Sequence, residues 1–246
     1  MLHLARAKKF EVAYLCLQYF LPPLHNKIRR RLIEMAGSHC GAFEILDVGG
    51  RKSHCTIGVP GWVTITDIPR QTEIQKQLNL GVTEEMIGLV LKLRSNVRCM
   101  MIDDMTRSKL PDNSFDCVIA VEVLEHVEED VNFIRHAHRV LKPRGWFLIS
   151  TPNGDFVRNN NQDHKRHYTR QQLHSLLSSY FPHIEIEYAI KGGKYRRLGL
   201  APWSLKRPLQ TGLSMIGNIV NSWQSSQPWL KSQSHGTHHL IALARK

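Results

Sequence analysis

The run Ile45-Leu46-Asp47-Val48-Gly49-Gly50 has the form of a first buried strand and its ligand-facing turn. A short apolar strand that ends in an acid and paired glycines lets the backbone turn sharply and approach a ligand. Glycine tolerates positive φ and has no Cβ to collide with what is bound. Twenty residues after Asp47, Asp67 closes a second run, Trp62–Asp67 (WVTITD), rich in β-branched residues. A carboxylate at that strand end can accept hydrogen bonds from both hydroxyls of a ribose.

Three more runs follow: Val97–Asp104 (VRCMMIDD), Asp116–Val123 (DCVIAVEV) and Gly145–Thr151 (GWFLIST). They are mostly apolar rather than alternating, which is how strands covered on both faces of a parallel sheet read. Helical patterns separate the later ones. Glu84–Leu93 carries Met86, Ile87, Val90 and Leu91. Glu128–Leu141 places Val131, Ile134, His138 and Leu141 on one stripe and stops at Lys142-Pro143. The segment from Thr169 to Tyr180 opens with a capping-box spacing, Thr169 and Gln172, and buries Leu173, Leu176 and Leu177. Residues 51–61 are too short and too rich in glycine and proline for a full helix. His183–Ile190 alternates as an edge strand would, and His239–Arg245 (HLIALAR) reads as the last strand. The expected fold class is therefore α/β, a doubly wound, mostly parallel, Rossmann-like sheet.

Length and composition bound the rest. A chain of 246 residues suits one α/β domain with additions, and 42% apolar with 22% charged residues excludes global disorder and fibrous repeats. Five cysteines without a CxxC spacing argue against a disulfide framework and a cysteine-held metal, and for a reducing, cytoplasmic setting. The net charge of +12 is unevenly spread: +5 over residues 1–40, −3 over 41–155 and +10 over 156–246. A basic N-terminal helical extension (1–40), a core (41–190), a basic insertion acting as lid or docking element (191–238) and a last core strand (239–246) follow from this division. Within the extension, Val12 to Leu21 reads as a helix lying on the domain or on a membrane surface rather than as a signal peptide. Leu213, Met215, Ile216, Ile219, Val220 and Trp223 give the insertion one apolar-faced helix. Basic flanks on an acidic centre point to an anionic contact, whether a membrane surface, nucleic acid or a phosphorylated substrate, and peripheral docking on an anionic membrane is preferred to nucleic acid.

With Asp104 and Glu122, four acidic residues stand at four consecutive strand ends, the rim where open α/β sheets bind ligands. A dinucleotide site would want G-x-G-x-x-G, whereas here Arg51 and Ser53 replace the later glycines. An acidic pocket suits a cationic nucleoside, and S-adenosyl-L-methionine has a sulfonium, an ammonium and a ribose, and no phosphate.

Asp47-Val48-Gly49-Gly50, Leu110-Pro111-Asp112-Asn113-Ser114-Phe115-Asp116, Val123-Leu124-Glu125-His126-Val127, Arg139-Val140-Leu141-Lys142-Pro143-Arg144-Gly145 and Ser150-Thr151-Pro152-Asn153 together resemble the class I S-adenosylmethionine-dependent methyltransferases. The nearest branch is similar to quinone-biosynthesis O-methyltransferases and small-molecule or sugar-modifying enzymes. The resemblance spans roughly residues 43 to 185. It implies seven strands with an antiparallel last one and S-adenosyl-L-methionine as cofactor. It also implies roles by position: Asp47, Gly49 and Gly50 at the methionine end, Asp67 and Ile68 at the ribose, Asp104 and Met105 beside the adenine, Glu122 near the methionine moiety. Asp104 is preferred to Asp103 by its distance from Leu110-Pro111.

Methyl transfer requires alignment of the acceptor and, for an oxygen acceptor, removal of a proton. His126 and His164 are the catalytic candidates, with His167 and Tyr168 beside them; no metal site is expected. The acceptor class is a small molecule, a sugar or a lipid-linked compound. An RNA methyltransferase, which the charge favours and the lack of an Asn/Asp-Pro-Pro-Tyr/Phe motif opposes, and a non-catalytic binding module, which Arg51 and Ser53 would suit, stay open as alternatives.

Overall fold

The computed structural model describes residues 7–71, 73 and 81–246. Seven strands form one sheet: β1 (Glu44–Val48), β2 (Trp62–Asp67), β3 (Val97–Ile102), β4 (Phe115–Val121), β5 (Leu141–Pro152), β6 (His183–Lys191) and β7 (Thr237–Arg245). Their order is β3-β2-β1-β4-β5-β7-β6. The pairs through β5 are parallel; β7 inserts antiparallel between β5 and β6. This is the expected sheet, with the antiparallel strand one place in from the edge.

The described helices are α1 (Lys9–Leu17), α2 (Pro23–Gly37), α3 (Glu84–Leu93), α4 (Asp130–Val140), α5 (Arg170–Ser178), α6 (Lys194–Gly199) and α7 (Pro208–Ser225). The central strands are buried on both sides, and a separate hydrophobic cluster lies on each face. On one, α4 and α5 pack Phe133, Ile134, Ala137, Leu173 and Leu177 against Leu46, Val118 and Phe147. The α4 stripe expected from Val131, Ile134, His138 and Leu141 is corrected: Val131 is exposed, and Phe133, Ile134, Ala137 and Val140 face inward. The helix begins two residues later than its pattern suggests, at Asp130, and Leu141 already belongs to β5. Thr169 does cap α5, in a reciprocal box with Gln172.

On the other face α2 takes the place of the helix that the Arg51–Gly61 segment cannot form. Its Leu24, Ile28 and Leu32 are buried among Ile45, Val63, Ile65 and Ile119, so the 1–40 segment, whose first six residues lie outside the described residues, contributes to the main core. Lys27 and Arg31 of α2 and Lys231 converge on Glu187 of β6 at 3.3, 3.0 and 3.3 Å. The 191–238 segment folds into α6, α7 and the turn Pro228–Ser232. Asn218 of α7 donates to the Phe20 carbonyl at 2.8 Å and so joins this segment to the N-terminal one.

Candidate active site

Gly49 adopts φ +66°, and a Cβ there would lie 2.7 Å from Val123 Cγ2. At Gly50 a Cβ would run into the Asp47 carboxyl. The paired glycines therefore let the chain turn directly over Asp47. Asp47 is fully buried; burial pushes its carboxyl up to about 6, against the opposing pull of Arg94 and the hydrogen bond from Thr56 Oγ1 at 2.8 Å. Arg94 Nη2 in turn donates to Thr56 Oγ1 at 2.6 Å, so an ordered relay supports the acid from below.

The strand ends open onto a cavity of about 540 Å³, lined among others by Asp47, Gly49, Asp67, Ile68, Asp104, Met105, Glu122 and His126. Of the cofactor residues expected from the sequence only Gly50 is not at its wall; it sits in the turn beneath. Arg51 lines the cavity and leaves it open, so the loss of the later glycines does not block it. Asp67 is held high by burial, an effect opposed by the Ile68 amide, 2.9 Å from its Oδ1, and by the charge of Arg51. Asp104 also shapes the local backbone. Its oxygens accept from Thr106 N (3.0 Å), Thr106 Oγ1 (2.8 Å) and Arg107 Nε (3.0 Å), capping the turn Met105–Arg107. Asp103 shares the wall, and its buried Oδ2 accepts no hydrogen bond among the described residues.

A second, more open cavity of about 990 Å³ adjoins through Glu122, and its wall includes Arg158, His164, His167, Arg196 and His238. Glu122 has φ +56°, a left-handed backbone that is uncommon outside glycine. Burial raises its carboxyl, but the His239 imidazole, 3.2 Å away, and Ser150 Oγ, donating at 3.2 Å, reverse this and hold it low. Glu125, three residues along, is fully buried and pushed well above the usual carboxylate range by burial and by the Glu122 charge.

The histidines form a relay. His167 Nδ1 lies 3.0 Å from the Val157 carbonyl oxygen, which only accepts, so that nitrogen carries the proton. With the rings neutral, His167 Nε2 accepts from His164 Nδ1 at 2.8 Å, and His164 Nε2 is left as a lone pair. His126 Nδ1 faces the Asp163 carbonyl oxygen at 3.2 Å, and its ring meets that of His164 edge-on at 4.7 Å. Tyr168 does not belong to this relay: its hydroxyl donates to Asp130 at 2.7 Å and is pushed up by burial and that bond, so it anchors the loop. Ligand atoms of Glu125, His126 and His164 lie within 4.8 Å of one another, a set able to hold a divalent ion although no metal site was expected.

Sequence reasoning missed His25, Arg196, His238 and His239. His25 lines the first cavity, Arg196 and His238 line the second, and His239 of β7 meets Glu122 at 3.2 Å; among fourteen histidines no spacing singled them out.

A methyltransferase-domain family profile matches residues 72–149. A probable S-adenosylmethionine-dependent methyltransferase from Mycolicibacterium smegmatis is 31% identical over 125 residues, 49% of this chain and 46% of that protein. A ubiquinone biosynthesis O-methyltransferase from Coxiella burnetii is 25% identical over 147 residues, 55% of each chain. The chain thus spans about half the length of the curated relatives it matches. A crystal structure of a methyltransferase from Archaeoglobus fulgidus superposes with a TM-score of 0.55 at 16% identity, covering 90% of this chain and 94% of that one, which is a likeness of fold.

Proposed function

We infer that the chain is a class I S-adenosylmethionine-dependent methyltransferase, a reading supported by the profile match over residues 72–149 and by the relatives above, and that it transfers a methyl group to an oxygen of a small-molecule, sugar or lipid-linked acceptor. The observation that carries the reading is the joining of two cavities at Glu122, one floored by the glycine turn and rimmed by carboxylates, the other walled by histidines.

The residues fit S-adenosylmethionine by their chemistry. The turn over Asp47 has no room for a side chain, and the wall offers carboxylates from four strand ends to a ligand with an ammonium, a sulfonium and two ribose hydroxyls. Asp67 with Ile68 would hold the ribose, Asp104 and Met105 the adenine, and Asp47, Gly49, Gly50 and Glu122 the methionine end. When bound, the cofactor supplies an electrophilic methyl group on a good leaving group. The chain supplies the rest. His164 Nε2, oriented by His167 and Val157, can take a proton from an acceptor hydroxyl in the second cavity. Burial, and the repulsion a second proton would meet from His126 and His167, lower the His164 pKa, which keeps its lone pair available near neutral pH. His126 lines the first cavity and stands edge-on to His164, at the passage between the two.

Isothermal titration of the full chain with S-adenosylhomocysteine tests the reading. Saturable one-site binding is the expected result. Absence of heat at high micromolar protein would favour a non-catalytic module.

A further inference from the structure

Helix α7 is built inside out. Ser214, Gly217, Asn218, Asn221 and Ser225 are its buried positions. These small polar side chains clamp it to the protein. Asn218 Nδ2 donates to the carbonyls of Phe20 (2.8 Å) and Gly199 (2.9 Å), Asn221 Nδ2 to that of Lys191 (2.6 Å), and Ser214 Oγ to that of Gly199 (3.0 Å). A Cβ on Gly217 would meet Gly199 N at 2.9 Å, so α6 and α7 are in close contact. The opposite face carries Leu209, Leu213, Ile216, Ile219 and Trp223, all exposed, Leu209 by 84% and Trp223 by 67%. At 3.6 residues per turn these five fall within an arc of about 120°. Packing in the interior normally runs the other way, and a contiguous exposed apolar stripe marks a contact surface.

The charges around the stripe identify what it meets. The helix has no ionisable side chain of its own. Exposed Lys206 and Arg207 stand at its start, beside the fully exposed Leu205, and Lys231, one of three cations sharing the single carboxylate of Glu187, follows its end near the half-exposed Trp229. No acidic residue occurs after Glu187 in the sequence. A second copy would set like charges against each other, whereas a surface of anionic headgroups over acyl chains complements both the cations and the apolar stripe. Tryptophan suits the boundary between the two. No described helix is long and apolar enough to cross a membrane, so α7, about 27 Å long at 1.5 Å per residue, would lie along the surface.

We propose that α7, with Lys206, Arg207 and Lys231, docks the protein peripherally on anionic lipid bilayers. The hydrogen bonds of the buried face fix the helix to the body, so docking orients the whole protein. Arg196 of α6 lines the second cavity, and docking through α7 holds that cavity at a fixed attitude to the lipid. The inference is independent of the methyl-transfer reading, and its test uses no nucleoside.

The experiment is co-sedimentation of the full chain with vesicles of phosphatidylcholine alone and of phosphatidylcholine mixed with phosphatidylglycerol. Tryptophan quenching by brominated lipid is read in parallel. The expected result is recovery with the anionic vesicles, quenched tryptophan emission, and partitioning reduced about tenfold in Ile216→Glu and again in the pair Lys206→Gln, Arg207→Gln. Unchanged circular dichroism melting confirms that the variants fold; their side chains are exposed in the parent. Recovery no greater than in the vesicle-free control, equal recovery on both vesicle types, or binding indifferent to Ile216→Glu would overturn the proposal. So would self-association that Ile216→Glu abolishes without any lipid binding, since the stripe would then be a contact between copies.

Discussion

Glu122 Oε2 lies 3.2 Å from His239 Nε2, so the end of β4 is tied to the start of β7 at the junction of the two cavities. The pairing accounts for the backbone at Glu122. A non-glycine residue at φ +56° carries strain of order 1–3 kcal/mol, which persists when its surroundings over-determine it. Here the carboxylate is fixed by His239 and Ser150 Oγ, and its own amide donates to the Ser150 carbonyl at 3.2 Å. The same contacts keep the acid ionised while the neighbouring Glu125 is driven toward its neutral form.

Glu122→Gln should separate charge from shape. The amide retains the size and removes the negative charge facing the cavity. Loss of one charge-assisted contact is worth about 1.5–3 kcal/mol, a fall in S-adenosylmethionine affinity of roughly ten- to a hundredfold. Titration calorimetry reads this directly. An unchanged dissociation constant would leave Glu122 as a lock between strands with no ligand contact.

Asp67→Ala removes the carboxylate expected at the ribose. Its raised pKa reflects partial burial at the cavity wall, and a carboxylate there can accept from a bound hydroxyl in a less watery setting than the open surface offers. The expected loss in affinity for S-adenosylhomocysteine is again at least tenfold. A variant that binds as the parent does would show the ribose to lie elsewhere along the rim.

These two residues and the sheet were legible because their signals are local. β1, β2 and β4 are near-continuous apolar runs, and each acid closes its strand or follows directly from it. His239 was not, because its partner Glu122 is more than a hundred residues away and only the insertion of β7 beside β5 brings them together. His25 was hidden in the same way: its segment reads as a basic extension, while the missing helix after β1 draws α2 onto the sheet and carries His25 to the cavity. For α7 the period was visible and the direction was not. Periodicity places Leu213, Ile216 and Trp223 on one side, but only the hydrogen bonds of Asn218 and Asn221 show that this side is the outer one.

The histidine relay predicts a tautomer. Nitrogen-15 NMR of the labelled protein at neutral pH should find His164 protonated at Nδ1 and bare at Nε2. His167→Ala removes the acceptor at 2.8 Å and should give a mixture of tautomers with little change in melting temperature. His164→Ala should reduce turnover of a hydroxyl acceptor by about 10²–10⁴-fold, the usual contribution of a positioned base. Protonation at Nε2 in the parent would show that the loop orients His164 by some other contact.

His25 predicts how stability depends on pH. It is partly buried at the wall of the first cavity, and burial, assisted by His54, lowers its pKa from 6.5 to about 4. Unfolding restores the ordinary value, so between pH 4 and 6.5 the unfolded chain binds a proton that the folded chain refuses. Stability from this group is therefore complete above pH 6.5 and declines as the pH falls toward 4. The shift corresponds to on the order of 3 kcal/mol. Asp47, raised to about 6, and Glu125 work in the opposite direction, so urea titrations at half-unit steps are read as the difference between the parent and His25→Leu, and that difference should shrink as the pH falls across the window. His25→Leu should remove this group's share of the slope while leaving a residual one, since His54 is also lowered by burial. An identical slope in the variant would place the acid sensitivity in other groups, with His25 free to accept its proton in the fold.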